Sequence, residues 1–221
     1  GEVDPCGWPK KPLGGLARKA TIVDQIKNSN INPLILDAGN LFYKNNSLDP
    51  GIAMETSKIN ADIIVESYNA IGCDAFSPGE NDFSNDLEYL LSLHKQANFP
   101  FVSANLVDPN TKKLVFNPYV TVSRKGIKIS IIGLSSMFNN SSVQVLDPIN
   151  SLSAMINDIR SESDLVVLLF NANDEDILRL QNSNIDVDLV VRSKSKIKSN
   201  DGGKKRLPVY SCGDRGKYIY R

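Results

Sequence analysis

The chain of 221 residues holds a single histidine, His94, three cysteines and one tryptophan. One histidine excludes any site built from several imidazoles. Cys6, Cys73 and Cys212 lie far apart and form no CxxC pair, which speaks against a zinc site. Cys73 and Cys212 read as buried, reduced thiols, and one disulfide with a leftover thiol stays open if the protein is exported. No apolar run approaches the ~18 residues of a membrane span. Neither sign of charge dominates, because Lys plus Arg and Asp plus Glu both number 25. Bulk charge therefore points to neither a nucleic-acid nor a membrane partner. Walker A, Rossmann glycine and GxSxG patterns are missing, and Ser135-Ser136 and Ser141-Ser142 sit in no nucleophile elbow.

Apolar residues make up 41% and charged residues 23%, the balance of an ordinary globular chain long enough to bury a core. Segments of strand and helix character alternate. Leu16 to Lys27 repeats Leu16, Ala20, Val23 and Ile26 at helical spacing. Pro33 to Leu36 is a short strand that feeds the turn Asp37-Ala38-Gly39-Asn40. Ile52 to Ile71 is a long helix with Ile59, Ile63, Tyr68 and Ile71 on one side. Asp74 to Ser77 is a strand closed by Pro78-Gly79, and Ser84 or Asn85 caps a helix that runs to Gln96. Phe101 to Ala104 forms a further strand.

Tyr119 to Ser123 and Ile127 to Leu134 form a hairpin about Arg124-Lys125-Gly126. Asp147-Pro148 opens a helix to about Arg160. Leu165 to Phe170 is continuously apolar, as a strand covered on both faces should be. Asp174 to Gln181 is a short helix and Val187 to Val191 another strand. Leu207 to Cys212 and Lys217 to Tyr220 close the chain as strands. Residues 1–13 form an N-terminal arm containing Trp8, and residues 193–206 a basic loop of low complexity. The whole reads as one α/β domain over residues 1–221 with mixed sheets.

Several segments, in order, resemble the 5'-nucleotidase branch of the calcineurin-like metallophosphoesterases. Gly14 to Ala20 is similar to the GGLAR segment of that branch. Leu34 to Phe42, LILDAGNLF, resembles LLLDAGDLF. Cys73 to Ser84 resembles YDAMTLGNHEFD, and Phe99 to Leu106 resembles FPVLSANV. Ile127 to Ser135, Leu165 to Asp176 and Asp186 to Lys196 fall where that branch has VKVGIIGLT, VVLSHLGLDED and VDLIIGGHSH. The resemblance implies a four-layer α/β/β/α sandwich. It also implies two divalent ions about 3.5–4 Å apart, bridged by a carboxylate and held by Asp, Asn and His.

The family positions are filled differently here. Asn40 stands at the bridging aspartate. Glu80 and Asn81 replace the Asn-His pair, Asp82 follows them, Asn171 replaces the histidine after the apolar strand, and Lys194 and Lys196 replace the last two histidines. The opening D-x-H motif would precede Gly1, and the second domain of the full-length nucleotidases is not read in these residues. An ammonium donates only and repels a cation. Asp37, Glu80 and Asp82 are the carboxylates left near the former pocket. Asp37 is expected to fix its turn, and Glu80 and Asp82 to play structural roles. Asp4 to Gly15 together with Gly79 to Asp82 resembles a divergent subgroup with EPCGC-like and GERD-like segments, Trp8 standing at its second cysteine.

The resemblance therefore favours a non-catalytic member without metal or cofactor, acting as a binding or structural module. The alternative is a phosphoesterase with an atypical site, using Asp37, Glu80 and Asp82 around Mn²⁺, Zn²⁺ or Mg²⁺. Arg192, Lys194 and Lys196 are anion-binding candidates, while the basic run as a whole reads as a solvated face. His94 reads as a helix-surface or core-edge residue. A protein partner and the oligomeric state stay open, and export to a periplasmic, surface or lipid-anchored position is implied by the resemblance alone.

Overall fold

The computed structural model describes residues 3–5, 14–29, 31–193 and 207–211. The helices are α1 (Leu16–Asn28), α2 (Ile52–Ile71), α3 (Leu87–Gln96), α4 (Pro148–Ser153), α5 (Ile156–Ser161) and α6 (Asp174–Gln181). The strands are β1 (Leu36–Asp37), β2 (Ala75–Phe76), β3 (Leu106–Val107), β4 (Tyr119–Arg124), β5 (Ile127–Ser135), β6 (Gln144–Val145), β7 (Leu165–Asn171), β8 (Leu189–Ser193) and β9 (Val209–Ser211). A 3-10 turn at Glu80–Phe83 follows β2.

The larger sheet has the order β4-β5-β7-β8-β9, with β4 antiparallel to β5 and the remaining pairs parallel. The smaller pairs β1 with β2 in parallel, and bridges from Phe76 to Phe101 and from Val102 to Asn117 widen it. β3 and β6 form a short antiparallel pair. Alternation along β5 and β7 sends successive side chains to opposite faces. Ile132, Leu134, Val166, Leu168 and Phe170 pack with Leu152, Ile156, Ile159, Ile177 and Leu180 of α4 to α6. From the other face, Ile129, Ile131, Val167 and Leu169 meet Ala38, Ala75 and Val102 of the smaller sheet. The smaller sheet's outer side buries Phe76 and Phe101 with Ala61, Ile64, Val65, Leu90 and Leu93 of α2 and α3. These contacts build the expected α/β/β/α layers.

The two sheets approach tightly at Gly133 of β5, where an added Cβ would lie 2.0 Å from the Val102 carbonyl oxygen and 2.7 Å from Ser77 Oγ. Only a residue without a side chain allows that approach. α2 stops at Gly72, a left-handed cap (φ 79°) whose N–H donates to the Tyr68 carbonyl at 2.9 Å.

Several sequence expectations need correction. Ile59 and Ile63 are 59% and 37% exposed, and the inner face of α2 is Ala61, Ile64, Val65, Tyr68 and Ile71. That set follows the 3.6-residue period more closely. Asp86, rather than Ser84 or Asn85, caps α3, accepting from Tyr89 N at 2.6 Å. The helix opened by Pro148 breaks at Ala154-Met155 into α4 and α5. Phe101 and Val102 make single bridges rather than a four-residue strand. Strand β8 starts at Leu189, and before it Asp188 donates its N–H to the Val166 carbonyl. The strand expected at Lys217 to Tyr220, Cys6, Cys212, Trp8 and nearly all of the basic loop lie outside the described residues. Cys73 is a buried free thiol, pushed up to about 12 by burial and so inert.

Candidate functional site

The ends of β1, β2, β7 and β8 converge on one spot, the place where parallel α/β sheets present residues to ligands. Asp37 ends β1, Asn40 follows, the run Gly79 to Asp82 succeeds β2, Asn171 ends β7, and Ser193 ends β8. Gly79 marks the centre. A Cβ there would sit 2.5 Å from Asn171 Nδ2 and 2.7 Å from Asn40 Oδ1, so two amides crowd it. Asn40, Asn81, Asp82 and Asn171 are thus brought together, with Glu80 and Asp37 at the edge.

Each polar side chain in this cluster has an internal partner. Asn40 adopts a left-handed backbone (φ 57°), a conformation asparagine tolerates better than most residues. Its Oδ1 accepts from Asn81 N at 3.0 Å. The Asn81 side chain turns the other way and donates to the Lys44 carbonyl at 2.8 Å. Asn171, 1% exposed, donates through Nδ2 to Ser193 Oγ at 2.7 Å.

Asp82 is also 1% exposed. Its Oδ2 accepts from Asn40 N and Gly79 N, both at 2.8 Å, and its Oδ1 from Phe42 N at 2.9 Å. Burial raises this carboxyl to about 6, the N–H donors of Phe42 and Gly79 pull it down, and nearby Asp37 pushes it up. Asp37 Oδ1 accepts from Gly39 N at 3.1 Å, and its Oδ2 takes the Tyr68 hydroxyl at 2.7 Å, with Lys19 Nζ 4.0 Å away. Lys19 also donates to the Tyr68 hydroxyl at 2.6 Å. Burial, then Asp37, raises the Tyr68 hydroxyl well above its ordinary value, so it stays a donor. Glu80 stands at the rim and accepts from Asn46 Nδ2 at 3.2 Å.

Arg192 does not turn to these carboxylates. Its Nε donates to the Ala172 carbonyl at 3.0 Å and its Nη2 pairs with Asp174 at 2.6 Å. Its role as an anion binder is thereby reduced to a guanidinium already engaged by a carboxylate. Lys194 and Lys196 lie outside the described residues. His94 is in α3, its ring 4.8 Å from that of Phe101 and 5.5 Å from that of Phe116. Burial lowers its proton affinity. It is a core-edge residue, as expected. A concavity of about 410 Å³ borders Phe42 to Asn45 and Leu48 on the outer side of this cluster, lined also by Val3, Asp4 and Asp49.

No family model matches the chain. A 5'-nucleotidase of Vibrio cholerae serotype O1 is 32% identical over 123 residues, which is 55% of this chain and 21% of that protein. The crystal structure of a 5'-nucleotidase precursor from Thermus thermophilus superposes with a TM-score of 0.75 at 24% identity, covering 93% of this chain and 44% of that one. The calcineurin-like phosphoesterase YfkN from Bacillus subtilis gives a TM-score of 0.71 at 21% identity, covering 92% and 74%. The chain is similar in sequence to 5'-nucleotidases and has the fold of the calcineurin-like phosphoesterases. It spans about a fifth of the length of the curated relatives it matches.

The resemblance to metallophosphoesterases implies a pair of divalent ions, and the described residues of this cluster do not fit them. Among the described residues, no group of three or more His, Cys, Asp or Glu side chains could hold a metal. Asn40 is an amide, which brings no charge, and both oxygens of Asp37 and of Asp82 are already turned to internal donors. Glu80 alone keeps a carboxylate at the rim. Sequence reading missed three participants: Lys19, Tyr68 and Ser193. Ser193 was legible in principle, because it stands in register with Asn171 on the neighbouring strand.

Proposed function

We propose that this chain is a single, non-catalytic 5'-nucleotidase-like domain, an exported binding or structural module that neither holds a pair of divalent ions nor hydrolyses phosphate esters. The observation that carries this reading is the commitment of the Asp37 and Asp82 oxygens to backbone N–H groups, the Tyr68 hydroxyl and the neighbourhood of Lys19. A two-ion hydrolase needs those oxygens free to bridge and to activate water. Export follows from kinship with the nucleotidases. The second reading, a hydrolase with one ion at Glu80, draws on the position of that carboxylate at the rim.

The test is turnover. The purified protein is assayed with phosphomonoesters, 5'-nucleotides and phosphodiesters in the presence of Mn²⁺, Mg²⁺ or Zn²⁺. The expected result is a rate indistinguishable from that of Glu80→Gln. Metal-dependent hydrolysis that vanishes in Glu80→Gln would replace this reading with the one-ion hydrolase.

A further inference from the structure

We infer that the strand ends which the phosphoesterase fold uses to hold ions are tied together in this chain by a neutral hydrogen-bonded latch, Asn171 to Ser193 to Ala38, that joins the two sheets without a cation. The inference rests on the ion-free reading of the site and adds what took the ions' structural place.

The latch crosses the sandwich. Asn171 and Ser193 are paired neighbours on β7 and β8 of the larger sheet. Ser193 Oγ accepts from Asn171 Nδ2 at 2.7 Å and donates its only proton to the Ala38 carbonyl at 2.5 Å. Ala38 follows β1 of the smaller sheet and lies 155 positions away in sequence. A second arm, Asn81 N to Asn40 Oδ1 at 3.0 Å, ties the segment after β1 to that after β2. Between the arms, the amides of Asn171 and Asn40 flank Gly79 so closely that a Cβ added there would lie 2.5 Å from Asn171 Nδ2 and 2.7 Å from Asn40 Oδ1. Protein atoms therefore fill the centre of the former site.

Position explains why polar groups do this. The apolar contact between the sheets ends at Val167 and Leu169 on β7, and the next inward-facing residue is Asn171. A pair of ions held from both sheets would cross-link them here. Amide and hydroxyl groups can do so without the desolvation cost of burying charge, provided each donor finds an acceptor. In the Ser193 hydroxyl that condition is met in both directions.

A double-mutant cycle tests the latch. Asn171→Ala, Ser193→Ala and the double variant are unfolded thermally, with and without EDTA. Each single change should lower the midpoint by roughly 3–6 °C, and the double by about as much as the larger single, since either change breaks the same chain. EDTA should leave all four proteins unmoved. Additive losses, or two single variants within about 1 °C of wild type, would overturn the latch. Should Asn171→Ala not fold, amide hydrogen exchange in Ser193→Ala decides. Exchange at Gly39, Asn40 and the end of β8 should quicken about tenfold while the β4–β5 hairpin stays unchanged. Unchanged exchange at Gly39 and Asn40 would overturn the latch. Additivity would leave the proposed function standing, whereas metal-dependent turnover by the wild type would remove both.

Discussion

Asp82→Ala is expected to destabilise the folded chain by about 3 kcal/mol, a fall in the thermal midpoint of roughly 6–12 °C. Three backbone N–H groups, those of Asn40, Phe42 and Gly79, converge on this carboxylate. Alanine leaves them buried without acceptors, at about 1–3 kcal/mol each. Relief from burying an ionised carboxyl offsets part of that sum. The pH dependence separates the two effects. Burial raises the Asp82 carboxyl from 3.8 to about 6, so between those values the folded protein binds a proton that the unfolded chain releases. The contribution of this group is complete below the unfolded value and is lost as pH rises through about 6. The stability gap between wild type and Asp82→Ala should widen as pH falls from 7 toward 4, measured by urea unfolding at each pH. A gap that narrows over that window would contradict the assignment.

Gly133→Ala is expected to be the most damaging single-methyl substitution in the larger sheet, costing at least ~3 kcal/mol or preventing folding. The new Cβ would meet the Val102 carbonyl oxygen at 2.0 Å and its carbon at 2.6 Å. Both contacts are backbone, so no side-chain rotation relieves them. Gly133 also holds the Ala104 N–H on its own carbonyl at 2.8 Å, which ties β5 to the segment that must move. Gly126→Ala is the matched control. Gly126 has φ +83° but open space around its missing Cβ, so its cost is backbone strain alone, about 1 kcal/mol. Equal losses in the two variants, read from denaturant midpoints, would show that the sheet approach does not matter.

The sequence was most legible where one periodic signal acted alone. α2 and α6 have the bounds read from the sequence, and the β4–β5 hairpin turns at Lys125-Gly126. Legibility failed where tertiary packing chose between similar patterns. Ile59 looked like a core residue, yet the smaller sheet packs against Ala61, Ile64 and Val65 instead. One helical pattern from Pro148 divides at Met155, whose backbone leaves the helical region (φ −127°, ψ −13°). Of the candidate site, the resemblance named residues that lie at the strand ends. It could not show that the Tyr68 hydroxyl and Lys19 gather at Asp37, because that contact joins α1, α2 and β1 across distant sequence. Nor could it show that Asn171 pairs with Ser193, which needs the register of β7 and β8.

One replacement in particular changes the chemistry of the cluster. The bridging position of a two-ion site must be anionic to hold the cations close together. With an amide there, the remaining inward carboxylate, Asp82, becomes a clasp for the loops after β1 and β2. The cluster then holds its shape through backbone N–H groups gathered on Asp82 and through amide and hydroxyl contacts.

Elemental analysis of the purified chain after dialysis against Mn²⁺, followed by removal of free ion, addresses this account most directly. The expected content is far below about one ion per chain, with no rise in thermal midpoint on adding the metal. About one or two ions per chain, lost in Asn40→Ala or Glu80→Gln, would contradict it.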